Sequence, residues 1–264
     1  MIENIILGII QGIAEWLPVS SEGLIVLTKT NIFHSHQDLE STIKLALFLH
    51  FGTFLAALIY FWGDVKQLFK TLFSYSSQPS ELKQLINFLT LSTLISGLLG
   101  FSFIKLLERV DLQTEHSGKV LTFIVGLFLL GTAFLELRAK KGGYKKIVNL
   151  KLVDGIILGI VQGFAAFPGL SRSGLTVSAL LLRKFDKATT LKLSFLMSLP
   201  IVLAGNIILN LHDMNWSLTN LYGLFFSFIF GLATIHILLK IAEKINFGLF
   251  VLLFGILTII AAIL

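Results

Sequence analysis

The sequence contains no cysteine, only four prolines and few charged side chains. The absence of cysteine excludes disulfides and thiolate metal sites. Aspartate, glutamate, lysine and arginine together make up 14% of the 264 residues, whereas soluble domains have about a quarter. Hydrophobic residues account for 55% of the chain, and its mean hydropathy is +0.87. This composition excludes a soluble globular protein and predicts an integral membrane protein.

The formal net charge of +6 would suggest a nucleic-acid partner in a soluble protein. In a membrane protein, an excess of lysine and arginine is typical of cytoplasmic loops. The expected partners are therefore the bilayer and a membrane-borne ligand, and no nucleic acid is expected.

Six stretches are long enough to cross a bilayer, which takes about 20 apolar residues. They are 45–62, 85–106, 120–137, 191–211, 221–239 and 247–264. Two further apolar runs, 5–17 and 156–167, are too short, because a helix rises only about 1.5 Å per residue and the hydrocarbon core is about 30 Å thick. Each run stops near a proline, Pro18 or Pro168, and a second short apolar run follows. This pattern predicts two re-entrant helix–loop–helix hairpins.

The two short runs are also copies of each other. "ILGIIQGIAEWLPVSSEG" (6–23) and "ILGIVQGFAAFPGLSRSG" (157–174) are identical at nine of 18 positions without a gap, at a spacing of 151 residues. Three predicted spans follow each copy, and an odd number of crossings makes the second copy enter the membrane from the opposite side. The sequence therefore predicts an inverted-topology repeat whose two breaks lie near the membrane midplane.

The predicted fold is an all-α integral membrane protein with six transmembrane helices and two re-entrant hairpins in an inverted repeat. A single membrane domain covers 1–264, with one repeat at about 1–138, the other at about 152–264, and a basic loop at 138–151 between them. If the N-terminus lies on one side of the membrane, the opposite side receives fifteen basic residues and the first side only five. The positive-inside rule then places the fifteen in the cytoplasm and both termini outside.

The residues at the two breaks indicate an anion site. Irregular backbone at membrane depth survives only when it is buried in protein or lines a wet cavity. Ser20 or Ser21 is placed to cap the half-helix that follows, and Ser171 or Ser173 is placed to cap its counterpart. Free N–H groups and the positive dipole end make each helix start attractive to anions. Arg172 adds a guanidinium fork that suits phosphate oxygens.

Carboxylates beside such a site point beyond simple anion binding. Gln11 and Glu15 lie four residues apart, so they share one helix face, and Glu22 adds a second carboxylate beside the serines. A carboxylate near a bound phosphate is repulsive unless it handles a proton or holds a cation. This set of residues suggests phosphoryl transfer, with Mg²⁺ or Ca²⁺ bound by oxygen ligands that include Glu15, and with Glu22 as an acid, a base or a metal ligand.

Each of these residues also has a purely structural interpretation. Ser20 and Ser171 are adequately explained as helix caps. Glu15 and Arg172 are explained as a buried charge pair, and Glu22 as a side chain that reaches for the membrane interface.

The remaining polar side chains of the apolar segments have similar interpretations. Gln11 and Gln162 are placed to satisfy polar groups between helices. His50 and His236 fall inside predicted spans and are interpreted as helix-packing residues.

The motifs "QGIAEWLPVSSEG" (11–23) and "PGLSRSGLTVS" (168–178) resemble the two signature segments of the undecaprenyl-diphosphate phosphatase family, also called the bacitracin-resistance proteins. The resemblance extends to chain length, number of spans and placing of both motifs. It implies an integral-membrane hydrolase of the plasma membrane that removes the terminal phosphate of a polyprenyl diphosphate. Its active site would open to the outer face, and its product would recycle a lipid carrier for cell-envelope glycan synthesis, which gives bacitracin resistance.

The resemblance also implies roles for particular residues. Glu15, Ser21 and Arg172 would be catalytic, with Ser21 as the candidate nucleophile, Arg172 as the phosphate-binding arginine and a divalent metal at Glu15. Supporting contacts to the substrate would come from Gln11, Ser20, Ser171, Ser173 and Thr176.

One position departs from the pattern of many bacterial members, which read Pro-Val-Ser-Ser-Thr-Gly-His. This chain has Glu22 in place of the threonine and Leu24 in place of the histidine. Histidine is a natural general acid or base, so its absence leaves Glu15 or Glu22 to handle the proton. Two other functions stay open on the sequence: a polyprenyl-phosphate flippase or transporter, since inverted repeats with broken helices are common in carriers, and an inactive lipid-binding relative. A homodimer is among the assemblies that the sequence leaves open.

Overall fold

The computed structural model describes residues 1–17, 19–33, 39–107, 143–166, 170–210, 216–241 and 244, together with isolated positions between 123 and 138 and between 248 and 260. Across these residues the regular structure is helical, apart from one isolated bridge between Lys145 and Phe185. The expectation of an all-α protein is therefore confirmed. The predicted spans 120–137 and 247–264 lie largely outside the described residues.

Nine α-helices are found in the described part of the chain. They are α1 (Ile2–Ala14), α2 (Ser21–Asn31), α3 (Leu39–Tyr60), α4 (Trp62–Phe73), α5 (Ser80–Leu107), α6 (Leu152–Gly163), α7 (Arg172–Leu182), α8 (Lys187–Gly205) and α9 (Leu218–Ile241). A π-helical turn, Asn206–Asn210, extends α8. Short 3₁₀ turns lie at Tyr75–Ser77, Ile147–Asn149 and Phe164–Ala166.

Four of these helices are long and apolar enough to cross a membrane. The candidate spans are Ser41–Tyr60, Ser80–Lys105, Lys187–Ile208 and Leu218–Ile241. They coincide with four of the six spans that the sequence predicts.

The helices at the two sequence repeats are short, as the apolar runs predict. Helices α1 and α2 have 13 and 11 residues, and α6 and α7 have 12 and 11. At about 1.5 Å per residue, none of the four is longer than about 20 Å. Each pair is interrupted where the repeat carries its polar residues, at 15–20 and again before Arg172.

Helix α4 was not predicted from the sequence, which indicates only a polar connection after the first full span. It exposes several large apolar side chains, among them Trp62, Phe69 and Phe73, while Val65 and Thr71 are buried. Lysines at positions 66 and 70 lie on the same short helix. Exposed apolar bulk with nearby lysine is typical of a helix that lies in the membrane interface.

The first half-helix of each repeat packs against a long helix of the other repeat. Helix α1 runs along α9, and α6 runs along α5. The approach of α1 to α9 is the closer, because a Cβ atom added to Gly8 would lie 2.1 Å from the carbonyl oxygen of Gly223. At the equivalent Gly159, 151 residues later, an added Cβ would lie 2.8 Å from the Cβ of Ile95 on α5. Glycine is therefore required at both crossings.

Ion pairs with one buried partner each join the two helices of each repeat at the end away from the break. Lys29 of α2 lies 3.8 Å from Glu3 of α1. Asp154 of α6 accepts a hydrogen bond of 2.7 Å from Arg183, which follows α7. Asp154 stands 151 positions after Glu3, so both repeats place their carboxylate at the same point of the first half-helix.

The largest core cluster surrounds Trp16, which directly follows Glu15. It draws side chains from α3, α7, α8 and α9. The indole ring of Trp16 meets the ring of Phe195 edge-on, at 4.9 Å between centroids. This packing holds the first helix break in place, so the backbone next to Glu15 has little freedom to move.

The contact between α1 and α9 predicts a destabilising effect for Gly8→Ala. The added methyl group must push the two helices apart, and overpacking of this kind costs about 1–3 kcal/mol. Thermal unfolding of the purified protein in detergent measures the loss. Gly63→Ala is the matched control, since a Cβ there has no atom within 4 Å, and alanine favours a helix by about 1 kcal/mol over glycine. Equal melting temperatures for the two variants would contradict this account.

Candidate active site

Both helix breaks end in the same serine cap. The Ser20 hydroxyl accepts a hydrogen bond of 3.1 Å from the N–H of Gly23 at the start of α2. The Ser171 hydroxyl accepts one of the same length from the N–H of Gly174 at the start of α7. Of the two cap candidates that the sequence allows in each repeat, the structure selects the first. Serine is favoured at this position because its side chain satisfies an N–H that the helix itself leaves free.

The first turns of α2 and α7 face one pocket, which also receives the end of α1 and one side of α3. The side chains that line it are largely polar. They are Glu15, Val19, Ser20, Ser21, Glu22, His50, Ala165, Leu170, Ser171, Arg172 and Ser173. The structure thus brings polar residues of both repeats, 151 positions apart in the chain, into one wall.

Glu15 lies at the centre of this pocket and its side chain is buried. Its Oε2 atom accepts hydrogen bonds from Gln11 Nε2 at 2.9 Å and from the Ser21 hydroxyl at 3.0 Å. His50 Nε2 lies 3.1 Å from the same oxygen. The other oxygen, Oε1, accepts from the Arg172 guanidinium. Every contact of the carboxylate is thus with a donor or a cation, which is what a buried carboxylate requires.

Ser21 and Glu15 form the geometry of an activated hydroxyl. A hydroxyl donates its proton along the hydrogen bond that it makes, and this one points to a carboxylate oxygen. The distance of 3.0 Å is within the reach over which a general base takes a proton. The arrangement suits removal of the Ser21 proton, or of a water proton at the same place.

Arg172 connects the two repeats. It is the first residue of α7, and it pairs with Glu15 at the end of α1. A second guanidinium nitrogen lies 3.5 Å from the carbonyl oxygen of Ser194 on α8. Both contacts hold the guanidinium in the wall of the pocket.

The remaining serines tie the two breaks to each other. Ser173 donates a hydrogen bond to the carbonyl oxygen of Leu17, and the Ser171 hydroxyl lies 3.4 Å from the same oxygen. The two hydroxyls are 3.2 Å apart. These contacts satisfy the last carbonyl before Pro18 and keep the cap of α7 next to the break after α1.

The structure does not bring every predicted residue to the pocket wall. The Thr176 hydroxyl is buried against Ser194, at 2.7 Å from that hydroxyl, and donates to the Arg172 carbonyl oxygen at 2.9 Å. It therefore contacts the backbone behind Arg172 and does not line the pocket. Gln162, the repeat counterpart of Gln11, donates to Ser96 of α5 at 3.0 Å, as its structural interpretation predicts.

His50 is the pocket residue that sequence reasoning assigned to helix packing. It belongs to α3, and its Nδ1 atom lies 2.7 Å from the carbonyl oxygen of Ala46. His236, interpreted in the same way, lies 3.4 Å from the Tyr60 hydroxyl and outside the pocket wall. The sequence does not distinguish these two histidines from each other. A polar ring inside an apolar span needs a partner, but the partner is visible only in three dimensions.

Leu24 stands at the histidine position of the bacterial family pattern described above, and its surroundings are apolar. Leu24 packs against a cluster formed by Ala14, Val19 and Ala133. It does not line the polar pocket. The environment of this position therefore suits leucine.

The donor atoms around Glu15 bear on the predicted metal. Both oxygens of Glu15 already accept from cations or N–H and O–H groups. Within the described residues, no group of three or more histidine, aspartate or glutamate side chains is placed to hold a metal ion. A cation held by protein ligands alone does not fit this arrangement. The carboxylate of Glu22, in the first turn of α2, remains as an oxygen ligand in the pocket wall.

Proteins of one family resemble this chain over most of its length. Residues 4–261 match the family model described as bacitracin resistance protein BacA. The chain is 41% identical to the undecaprenyl-diphosphatase of Methanococcoides burtonii, over 98% of this chain and 97% of the relative. It is 32% identical to the enzyme of that name from Haloarcula marismortui, over 98% and 96%. With that of Thermosipho africanus it shares 33% identity over 78% and 77%.

The chain therefore belongs to the bacitracin resistance protein BacA family of integral membrane proteins. The match covers both helix breaks and every residue of the pocket wall.

The charge pair at the centre of the pocket predicts strong coupling between Glu15 and Arg172. Glu15→Gln leaves the guanidinium buried without its anion, and loss of one partner of a buried pair costs about 3–5 kcal/mol. Arg172→Met should cost less, because His50 still faces the carboxylate. The double variant should be more stable than the sum of the two losses predicts. Thermal unfolding of the four proteins in detergent gives the coupling, and additive effects would show that the pair contributes nothing.

Proposed function

We propose that this protein is a phosphatase that hydrolyses undecaprenyl diphosphate, or a similar polyprenyl diphosphate, to the monophosphate and inorganic phosphate. The observation that carries the proposal is the convergence of Glu15, Ser21 and Arg172 in one pocket between two helix N-termini. The relatives named undecaprenyl-diphosphatase support the same reaction. Hydrolysis returns the lipid carrier to a form that can be loaded again, which accounts for resistance to bacitracin and for a role in envelope glycan synthesis.

The diphosphate is held by charge and by backbone N–H groups. Arg172 offers its guanidinium to the terminal phosphate, which is the geometry that arginine favours with phosphate oxygens. The helix starts at Ser21 and Arg172 direct free N–H groups and positive dipole ends at the same place. The hydroxyls of Ser20, Ser171 and Ser173 complete the polar wall as predicted substrate contacts. Gln11, also a predicted substrate contact, does not line the pocket and donates to Glu15 instead.

Glu15 is the base of the reaction. A hydroxyl oxygen, from Ser21 or from a water at its position, attacks the terminal phosphorus while its proton passes to Glu15 Oε2. The new oxygen–phosphorus bond forms as the bridging oxygen–phosphorus bond breaks, and the polyprenyl monophosphate leaves. When Ser21 attacks, a second attack by water releases the phosphate and restores the serine. Both routes need the same proton acceptor.

Substrate binding also activates the base. In the structure Arg172 is paired with Glu15, so a bound phosphate competes for the guanidinium. When the phosphate takes Arg172, the carboxylate loses one of its two cationic neighbours and becomes a better proton acceptor. The site thereby keeps Glu15 neutralised until a substrate is present.

A divalent cation fits this mechanism only together with the substrate. Glu22 and the phosphate oxygens would hold it, since Mg²⁺ commonly binds through one or two carboxylates and substrate phosphates. Its contribution would be to neutralise charge on the phosphate. Ser21, Glu15 and Arg172 keep the roles given above.

For the membrane arrangement we propose six spans and two re-entrant hairpins in an inverted repeat. The four short helices, the exchanged packing of α1 and α6, and the equivalent ion pairs of Glu3 and Asp154 support it. The distribution of basic residues supports cytoplasmic loops at 63–84 and 138–151 and both termini outside. The family resemblance implies a pocket that opens to the outer face of the plasma membrane.

The role of Arg172 predicts that lysine cannot replace it. Arg172→Ala and Arg172→Lys should both lower kcat/KM for phosphate release from undecaprenyl diphosphate by roughly 30- to 1000-fold. This range corresponds to a loss of about 2–4 kcal/mol of transition-state stabilisation. An ammonium is a point charge and does not reproduce the bidentate fork. Arg183→Lys is the control, since Arg183 pairs with Asp154 outside the pocket wall.

Glu15→Gln should abolish nearly all phosphate release in folded protein, because an amide does not accept the proton. Normal turnover in Arg172→Lys or Glu15→Gln would remove that residue from its role. The same assay separates the enzyme from a flippase, because a flippase would release no phosphate with any of these proteins, the wild type included.

The proposed topology predicts which positions face each side of the membrane. The chain has no cysteine, so a single cysteine introduced at an exposed position is the only site that a maleimide can label. In intact cells, a membrane-impermeant maleimide should label Ile32→Cys and Thr219→Cys. Ser76→Cys and Tyr144→Cys should be labelled only after the membrane is permeabilised. Labelling of all four in intact cells, or the reverse pattern, would refute the orientation.

A further inference from the structure

We infer that His50 is a positioning residue for the reaction, which holds the Glu15 carboxylate on the hydroxyl of Ser21. The inference rests on the proposed function, since it assigns a partner to the base of that reaction. It gives His50 a role that the packing interpretation does not include.

The ring of His50 is held at both nitrogens. Nδ1 lies 2.7 Å from the carbonyl oxygen of Ala46, one turn earlier on α3. A carbonyl oxygen only accepts, so Nδ1 carries the proton of this hydrogen bond. The contact fixes the rotation of the ring and directs Nε2 away from α3. Nε2 then lies 3.1 Å from Glu15 Oε2.

The oxygen that His50 meets is the one that faces Ser21. Glu15 Oε2 lies 3.0 Å from the Ser21 hydroxyl and 2.9 Å from Gln11 Nε2. Arg172 holds only the other oxygen, Oε1. The contacts of the carboxylate are therefore divided: Arg172 lies on the side of the anion, while His50 and Gln11 lie on the side of the attacking hydroxyl.

This division matters at the moment of substrate binding. A phosphate that takes the guanidinium removes the contact at Oε1, and the carboxylate would otherwise be free to follow Arg172. His50 keeps Oε2 in place because α3 is a long helix whose neighbouring residues Ala46 and Leu49 are fully buried. Gln11 belongs to α1, next to the break itself. His50 is thus the contact that reaches Glu15 from outside the broken segment.

The test uses two substitutions of His50, and each preserves the hydrogen bond of one of the two ring nitrogens. The side-chain amide of Asn is short and places its N–H near the position of Nδ1, so His50→Asn keeps the contact to Ala46 and loses Glu15. The longer amide of Gln places its N–H near the position of Nε2, so His50→Gln keeps the contact to Glu15. Both variants are polar and uncharged and differ by one methylene group.

We expect His50→Asn to lower kcat for phosphate release from undecaprenyl diphosphate about 100-fold, because displacement of a reacting group by about 1 Å lowers the rate by about this factor. His50→Gln should stay within about 10-fold of the wild type, because an uncharged donor gives a weaker contact than an imidazolium. KM should change less than about 3-fold in both variants, as Arg172 and the helix starts are intact. His236→Asn and His236→Gln serve as controls and should leave kcat unchanged.

A role limited to packing predicts the opposite order, since the contact to Ala46 is the one within α3. Higher kcat for His50→Asn than for His50→Gln, equal kcat for both, or a rise in KM alone would overturn the inference. Melting temperatures measured on the same preparations identify any loss of activity that is caused by unfolding. If the wild type releases no phosphate, the proposed function fails and the inference falls with it. An active wild type with the wrong order refutes the inference alone.

Discussion

The fold is organised around one ion pair in the interior of a membrane protein. Glu15 and Arg172 lie 157 residues apart in the chain, and neither charge is tolerated in apolar surroundings without a partner. Their contact requires the break after α1 and the start of α7 to meet. The capping serines, the hydrogen bonds to the Leu17 carbonyl and the packing of Trp16 all serve this junction. A polar pocket arises where the two helix starts converge on the pair.

The same pair explains how a polar site is kept in a membrane without a ligand. Arginine neutralises the carboxylate while the site is at rest, and four donors satisfy its two oxygens. In the proposed reaction a bound diphosphate takes the guanidinium from Glu15, and His50 then remains beside the carboxylate.

How much the sequence could predict depended on how local each feature is. The short apolar runs, the serine caps and the shared face of Gln11 and Glu15 follow from helix geometry within a few residues, and a family resemblance pointed to Ser21 and Arg172. The place of His50 and the direction of Thr176 were not predictable, because they depend on the rotation of α3 and α7 against other helices. Helix α4 was missed because its 12 residues are too few for a span.

The exchange of packing partners between the repeats has a consequence for how the chain is built. Helix α1 finds its glycine-lined partner only in α9, more than 200 residues later, so the first helix made is among the last to be buried. One repeat by itself would leave its first short helix without that long neighbour, whereas its second short helix packs on a long helix of the same repeat. Two copies of a single repeat, in the proposed opposite orientations, would supply the missing neighbour to each other. The proposed inverted repeat would then have the form of an ancestral antiparallel dimer whose halves became joined by the basic segment 138–151.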